Sequence, residues 1–125
     1  SMAGELSTAY IDPQQFQRVF ANLVRNSVEA IQLAHIQDGR IEIRLERNPG
    51  YVEFLVSDNG PGIPAQIQET IFDPFTTTKS IGTGLGLYLA REIVENHQGT
   101  LTIDSAEGAG TQVRIVIPLD DSETE

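Results

Sequence analysis

Pro74–Leu87 reads PFTTTKSIGTGLGL, and its glycines at Gly82, Gly84 and Gly86 leave main-chain N–H groups uncovered where a helix-period apolar pattern begins at Leu85. Unpaired amides and the positive end of a helix dipole at such a point make an anion cradle. Lys79, the only lysine of the chain, lies in the same stretch. Short glycine runs also occur as plain linkers, so this stretch alone leaves both readings open. The GxGxG spacing lacks the third glycine of a dinucleotide-binding GxGxxG, and no strand pattern runs directly into Gly82. The GxxxxGK[ST] phosphate loop does not fit either, so the neighbouring segments must decide the fold.

Downstream, Leu85, Leu87, Leu89, Ala90, Ile93 and Val94 predict a long helix with Gly99 just past its end. Thr100–Ile103 and Thr111–Ile117 predict a closing hairpin around Glu107-Gly108-Ala109-Gly110. Upstream, Ala65–Ile71 has the character of a short helix after Pro64, and Phe72 and Phe75 flank a turn where they suit core filling.

Before that helix comes Ser57-Asp58-Asn59-Gly60-Pro61-Gly62-Ile63-Pro64. Asp58 stands at a strand end, Gly60 and Gly62 allow a tight path past a ligand, and Ile63 offers an apolar wall. A carboxylate that accepts from an exocyclic amino group beside such a wall suits an adenine ring. An ordinary Asp-Asn-Gly turn has the same sequence. Arg40–Arg47 alternates, with Ile41, Ile43 and Leu45 on one side and Glu42, Arg44 and Glu46 on the other. With a turn at Asn48-Pro49-Gly50 and a return over Tyr51–Val56, this predicts a hairpin with one wet face.

The first helix starts at Asp12-Pro13-Gln14-Gln15, where Asp12 caps, Pro13 takes the first helical position and Gln15 can close a capping box. Phe16, Val19, Phe20, Leu23, Ser27, Ala30, Ile31 and Ala34 form one small-or-apolar stripe, ending near Gln37-Asp38-Gly39. Asn22 and Asn26 stack one turn apart at its edge, and asparagine is a poor helix former. They read either as solvated amides or as oxygen ligands for a hard cation such as Mg2+, which keeps its waters and phosphates.

The elements run helix, hairpin, short helix, glycine-rich segment, helix, hairpin. That order predicts an α/β (α+β) two-layer sandwich: a mixed, mostly antiparallel sheet with about three helices on one face. Residues 10–119 are expected to form one domain, with 1–9 a cloning remnant or linker and 120–125 an acidic disordered tail. With 125 residues, no cysteine and a net charge of −10, the chain has no disulfide or thiolate site and no basic surface for nucleic acid. The absence of cysteine suits the cytoplasm, and no apolar run approaches a membrane span. An inner-membrane anchor elsewhere in a parent protein stays open.

Taken together, NLVRN at Asn22–Asn26, DNGPG at Asp58–Gly62, FDPF at Phe72–Phe75, GTGLGL at Gly82–Leu87 and GAGT at Gly108–Thr111 resemble the N, G1, F, G2 and G3 boxes. These mark the catalytic, ATP-binding domain of sensor histidine kinases, in the GHKL superfamily with the Bergerat fold. The resemblance covers about Tyr10 to Leu119. It implies that Asn26 holds Mg2+ while Asn22 supports its waters or the phosphates. It further implies that Asp58 receives the adenine amine, with Gly62 and Thr111 assisting through water and Ile63 and Leu87 packing on the base. It also implies that backbone amides of Gly84, Leu85, Gly86 and Leu87, with Lys79, cradle the phosphates of ATP or ADP, and it counts Gly60, Gly82 and Thr83 among the nucleotide-binding positions.

The six residues between the F and G2 boxes are similar to the short lids of nitrogen- and pilus-regulation kinases. Two positions depart from the pattern: Glu29 stands where many relatives carry a lysine, leaving Arg25 as a substitute cation, and Thr76 replaces a frequent phenylalanine. The phosphoacceptor is then expected on a separate histidine-bearing dimerisation domain of the same protein, with a response regulator downstream. The isolated domain is expected to be a monomer without nucleic-acid or membrane contacts. His35 and His97 lack the acceptor setting and are expected to be solvated. An ATPase or anti-sigma-type serine kinase on this fold typically has glutamate where Asn22 stands, which can act as a base as an amide cannot. A nucleotide sensor without turnover is the third reading.

Overall fold

The computed structural model describes residues 12–68, Thr70 and 84–119, and only the backbone of Gly84–Gly86. The expectations for residues 1–11, the FDPF box, Lys79, Gly82, Thr83 and the acidic tail lie outside the described residues.

Helix α1 (Pro13–Leu33) begins as the sequence predicts, with Asp12 accepting from the N–H groups of Gln14 and Gln15 at 3.0 and 3.4 Å. Such a cap stabilises a helix by about 1 kcal/mol. The N–H of Asp12 itself goes to His97 Nε2 at 3.0 Å rather than into a capping box. The helix stops before the predicted end because His35 turns left-handed, at φ 58°. The N–H groups of His35 and Ile36 then close on the carbonyls of Gln32 and Ile31, so the last turn is satisfied without glycine.

Strands β1 (Ile41–Asn48) and β2 (Tyr51–Asp58) form the first hairpin, and β3 (Thr100–Ser105) and β4 (Thr111–Pro118) the second. The sheet order is β1-β2-β4-β3. Among the described residues every pairing is antiparallel. Between the hairpins lie the single-turn α2 (Ala65–Gln68) and the long α3 (Gly84–Asn96). At the end of α3 it is Gln98, not Gly99, that turns left-handed, and the N–H of Gly99 closes on the Val94 carbonyl at 3.0 Å.

Alternation along the strands sends Val52, Phe54 and Val56 of β2, Val113, Ile115 and Ile117 of β4, and Leu101 and Ile103 of β3 to the helix side. They meet Phe16, Val19 and Leu23 of α1 and Leu87, Ala90 and Val94 of α3 in one core. Val19, Val94, Ile115 and Ile117 are fully buried. Burying each such side chain contributes on the order of 1.5–3 kcal/mol. The other side of the sheet mixes polar residues with Leu55 and Val116, and there Glu53 pairs with Arg114 at 2.6 Å.

Two expectations need correction. Ile43 and Leu45 do point to the helix side, but they are 52% and 65% exposed. β1 is the edge strand and lies beside the helices rather than beneath them, so Glu42 to Arg47 are exposed on both faces. His97 is half-buried rather than solvated: its ring packs edge-on against Phe16 at 4.9 Å, and Nδ1 lies 2.7 Å from the Ile93 carbonyl. His35 is exposed, as expected.

Candidate functional site

At the end of the sheet away from the Pro49-Gly50 turn, one rung of the ladder carries Ile41, Asp58, Thr111 and Ser105 side by side. The alternation that buries Val56 and Val113 therefore also brings Asp58 and Thr111 to the helix side, under α1. There the Ser27 hydroxyl donates to Asp58 Oδ2 at 2.6 Å, and the Gly60 N–H donates to Oδ1 at 2.8 Å. A carboxylate only accepts, and each oxygen keeps a further lone pair for a donor from outside.

The loop after β2 is held in place by backbone contacts. Gly62, at φ 77°, and Gly110, at φ 82°, take left-handed conformations, and a Cβ at either would collide with main chain: the Ala106 carbonyl for Gly62, the Asp58 carbonyl for Gly110. The Gly108 N–H donates to the Pro61 carbonyl at 2.7 Å, tying this loop to the β3–β4 loop. Ser105 Oγ accepts from the Ile63 N–H at 2.8 Å and lies 2.9 Å from Thr111 Oγ1. The Gln68 amide donates to the carbonyls of Ile63 and Ser105 at 2.7 and 2.8 Å. Asn59 fastens the other flank, accepting from the Arg40 N–H at 2.6 Å and donating to the Asp38 carbonyl at 2.7 Å.

These contacts frame a small cleft of about 50 Å³ that opens to solvent. Leu23, Ile63, Leu87, Ile103 and Val113 supply apolar walls, and Asn26, Ser27, Asp58 and Thr111 the polar groups. Among the described residues, Asn26 Nδ2 is buried without a hydrogen-bond partner. Leaving such a group unpaired costs about 1–3 kcal/mol, which marks Asn26 as a position open to a further polar partner.

Of the residues expected at a site, Asn26, Asp58, Gly62, Ile63, Leu87 and Thr111 line this one cleft. Gly60 serves it through its bond to Asp58. Asn22, one turn before Asn26, is half-buried and outside the lining. Gly84, Leu85 and Gly86 lie in the first described turn of α3, next to Leu87 of the cleft lining. Ser27, Ser105 and Gln68 were not marked by the motifs, and Asn59 only as a member of DNGPG: their bonds to Asp58, Ile63, Ser105, Arg40 and Asp38 span 19 to 42 residues, beyond any local pattern. Among the described residues, no cluster of three or more His, Asp or Glu could hold a metal, and no helix is long and apolar enough to cross a membrane.

A carboxylate at a strand end, an asparagine on the facing helix and two glycine loops interlocked beneath them define a nucleotide-binding α/β sandwich. Residues 11–121 match the family described as histidine kinase-, DNA gyrase B- and HSP90-like ATPases, and the chain belongs to that family. Within it, the relatives are histidine kinases. The chain is 40% identical over 115 residues to the sensor protein kinase PilS of Pseudomonas aeruginosa, covering 90% of this chain and 21% of PilS. It is 37% identical over 127 residues to the sensory histidine kinase/phosphatase NtrB of Rhizobium leguminosarum bv. phaseoli, covering 90% of this chain and 32% of NtrB. The catalytic domain of histidine kinase ThkA superposes with a TM-score of 0.73 at 37% identity, over 86% of this chain and 69% of that one. This is therefore a HATPase domain of the sensor histidine kinase type, spanning less than a third of those full-length relatives.

Proposed function

We propose that this chain binds Mg-ATP in the Asp58 cleft and passes the γ-phosphoryl group to a histidine on a dimerisation domain of its parent protein. The observation that carries this reading is the convergence of Asp58, Asn26 and Thr111 on one apolar cleft. Asp58 accepts from the adenine amine, while Ile63 and Leu87 cover the faces of the ring. Asn26 fits a cation–phosphate partner, because its unpaired amide atom is buried at the cleft and amide nitrogen and oxygen interchange on a flip. Its oxygen would hold Mg2+, with Asn22 supporting waters or phosphates. Bound magnesium would neutralise charge on the phosphates. The first turn of α3 offers backbone N–H groups to the phosphate chain, with Gly82, Thr83 and Lys79 completing the cradle.

The transfer forms a P–N bond to the acceptor imidazole as the P–O bond to ADP breaks. Positioning and charge compensation are the work of this domain, and the nucleophile comes from the acceptor domain. Asn22 cannot take a proton at neutral pH, which disfavours water or serine as the acceptor. A response regulator then receives the phosphoryl group from the full-length kinase.

Incubating the chain with labelled ATP and the parent's histidine hairpin tests this. Acid-labile label on that histidine is the expected result. Label that never leaves ATP, or that appears only as free phosphate, contradicts the kinase reading.

A further inference from the structure

We infer that Ser27 is a positioning residue that sets the base selectivity of Asp58, an inference that rests on the proposed role of Asp58 toward the adenine amine. Ser27 is 8% exposed and is the buried polar side chain of the described core. It occupies a place in the α1 stripe where alanine would pack equally well. A serine inside a helix commonly returns its hydroxyl to the carbonyl one turn back. Here the proton goes instead to Asp58 Oδ2, 31 residues away, at 2.6 Å, the length of a hydroxyl bond to an ionised acceptor.

The Gly60 N–H holds the other oxygen at 2.8 Å. Two donors, one from α1 and one from the loop, thus fix the plane of the carboxylate. A hydroxyl has one proton, and Ser27 gives it to Asp58, so its oxygen faces the cleft with lone pairs only. Asp58 and Ser27 together form an edge that accepts and cannot donate. That edge receives a 6-amino group and opposes a 6-oxo group, which would leave two acceptors face to face. Without Ser27, the carboxylate is held by one bond and can turn about Cβ–Cγ. Water can then enter the vacated space and donate to a carbonyl.

The test compares Mg-ATP with Mg-inosine triphosphate, which differs at position 6 by oxo for amino, on the wild-type chain and on Ser27→Ala, Ser27→Cys and Ser27→Thr. Thermal unfolding of each empty protein is followed in parallel. Wild type is expected to prefer ATP by on the order of 100-fold, since a site built to bond a polar group rejects an analogue that cannot make the bond. Ser27→Ala is expected to lower that ratio about tenfold, mostly by weakening ATP, and Ser27→Thr to keep it within about threefold of wild type. Ser27→Cys, near in volume and a weak donor, gives a reduced ratio too and serves if the alanine variant does not fold. Equal weakening of both nucleotides, with the ratio unchanged, overturns the inference and leaves the reading of Asp58 standing. A wild-type ratio near one removes the amine-reading role of Asp58 and the inference with it.

Discussion

His97 and Asp12 join the two long helices at the end of the molecule opposite the cleft. The Asp12 N–H donates to Nε2 at 3.0 Å, while Nδ1 lies 2.7 Å from the Ile93 carbonyl. Accepting at Nε2 while donating at Nδ1 makes His97 a neutral Nδ1–H tautomer. Ser27 is 11 residues along α1 from Phe16, the ring against His97, or roughly 16 Å of helix. His97→Ala is therefore expected to lower unfolding free energy by about 1–3 kcal/mol through the lost bond and ring contact, while nucleotide affinity stays within about twofold. Denaturant titration and calorimetry check both halves.

Asp58→Asn separates binding from folding. An amide at this position can still accept from the Gly60 N–H through its oxygen, and its NH2 can donate to the Ser27 hydroxyl once that rotates. The empty protein should keep its stability within about 1 kcal/mol, but the face offered to an adenine amine becomes a donor, and ATP affinity should fall by on the order of 100-fold. Calorimetry beside thermal unfolding measures the pair; a large loss of apo stability would make Asp58 a turn residue first.

Asn26→Ala should be neutral or stabilising in the empty protein, since it removes a buried amide nitrogen that has no partner among the described residues. The same change should abolish the gain in ATP affinity that magnesium gives. Titrating ATP with magnesium and with a chelator, in wild type and variant, shows whether the two effects part in this way.

Burial grades the cost of truncating apolar side chains. Ile115 is fully buried, and Ile115→Ala should cost about 2–5 kcal/mol. Ile43→Ser and Leu45→Ser, at positions 52% and 65% exposed, should each cost under about 0.5 kcal/mol. Denaturant midpoints distinguish them.

Gly110→Ala tests the interlocked loops. Its backbone is left-handed and its Cβ would strike the Asp58 carbonyl, so a loss of about 2–4 kcal/mol is expected, with weaker ATP binding in the folded fraction. Thermal unfolding with and without ATP reads both.

Local signals fixed the elements well. Asp12-Pro13 announced the start of α1, the alternation in Ile41–Leu45 and Val113–Ile117 announced strands, and Asp58 stands at a strand end as its glycine neighbours suggested. The end of α1 was hidden because His35, rather than a glycine, adopts the left-handed turn. Exposure along β1 was hidden because alternation says which way Ile43 and Leu45 point, while β1's place at the edge of the sheet decides whether anything lies over them. Within the site, Asn26, Asp58 and Thr111 carried recognisable motifs. Ser27 looked like one more small residue of a stripe, and Gln68, Ser105 and Asn59 act through bonds that only the folded chain brings within reach.

Titrating Mg-ATP into the isotopically labelled chain and following each backbone amide tests the central claim most directly. The account predicts saturable shifts concentrated at Ser27, Asp58, Gly60, Ile63 and Thr111, all with one dissociation constant. Shifts confined to the Asn48–Tyr51 end of the sheet, or none that saturate, would contradict it.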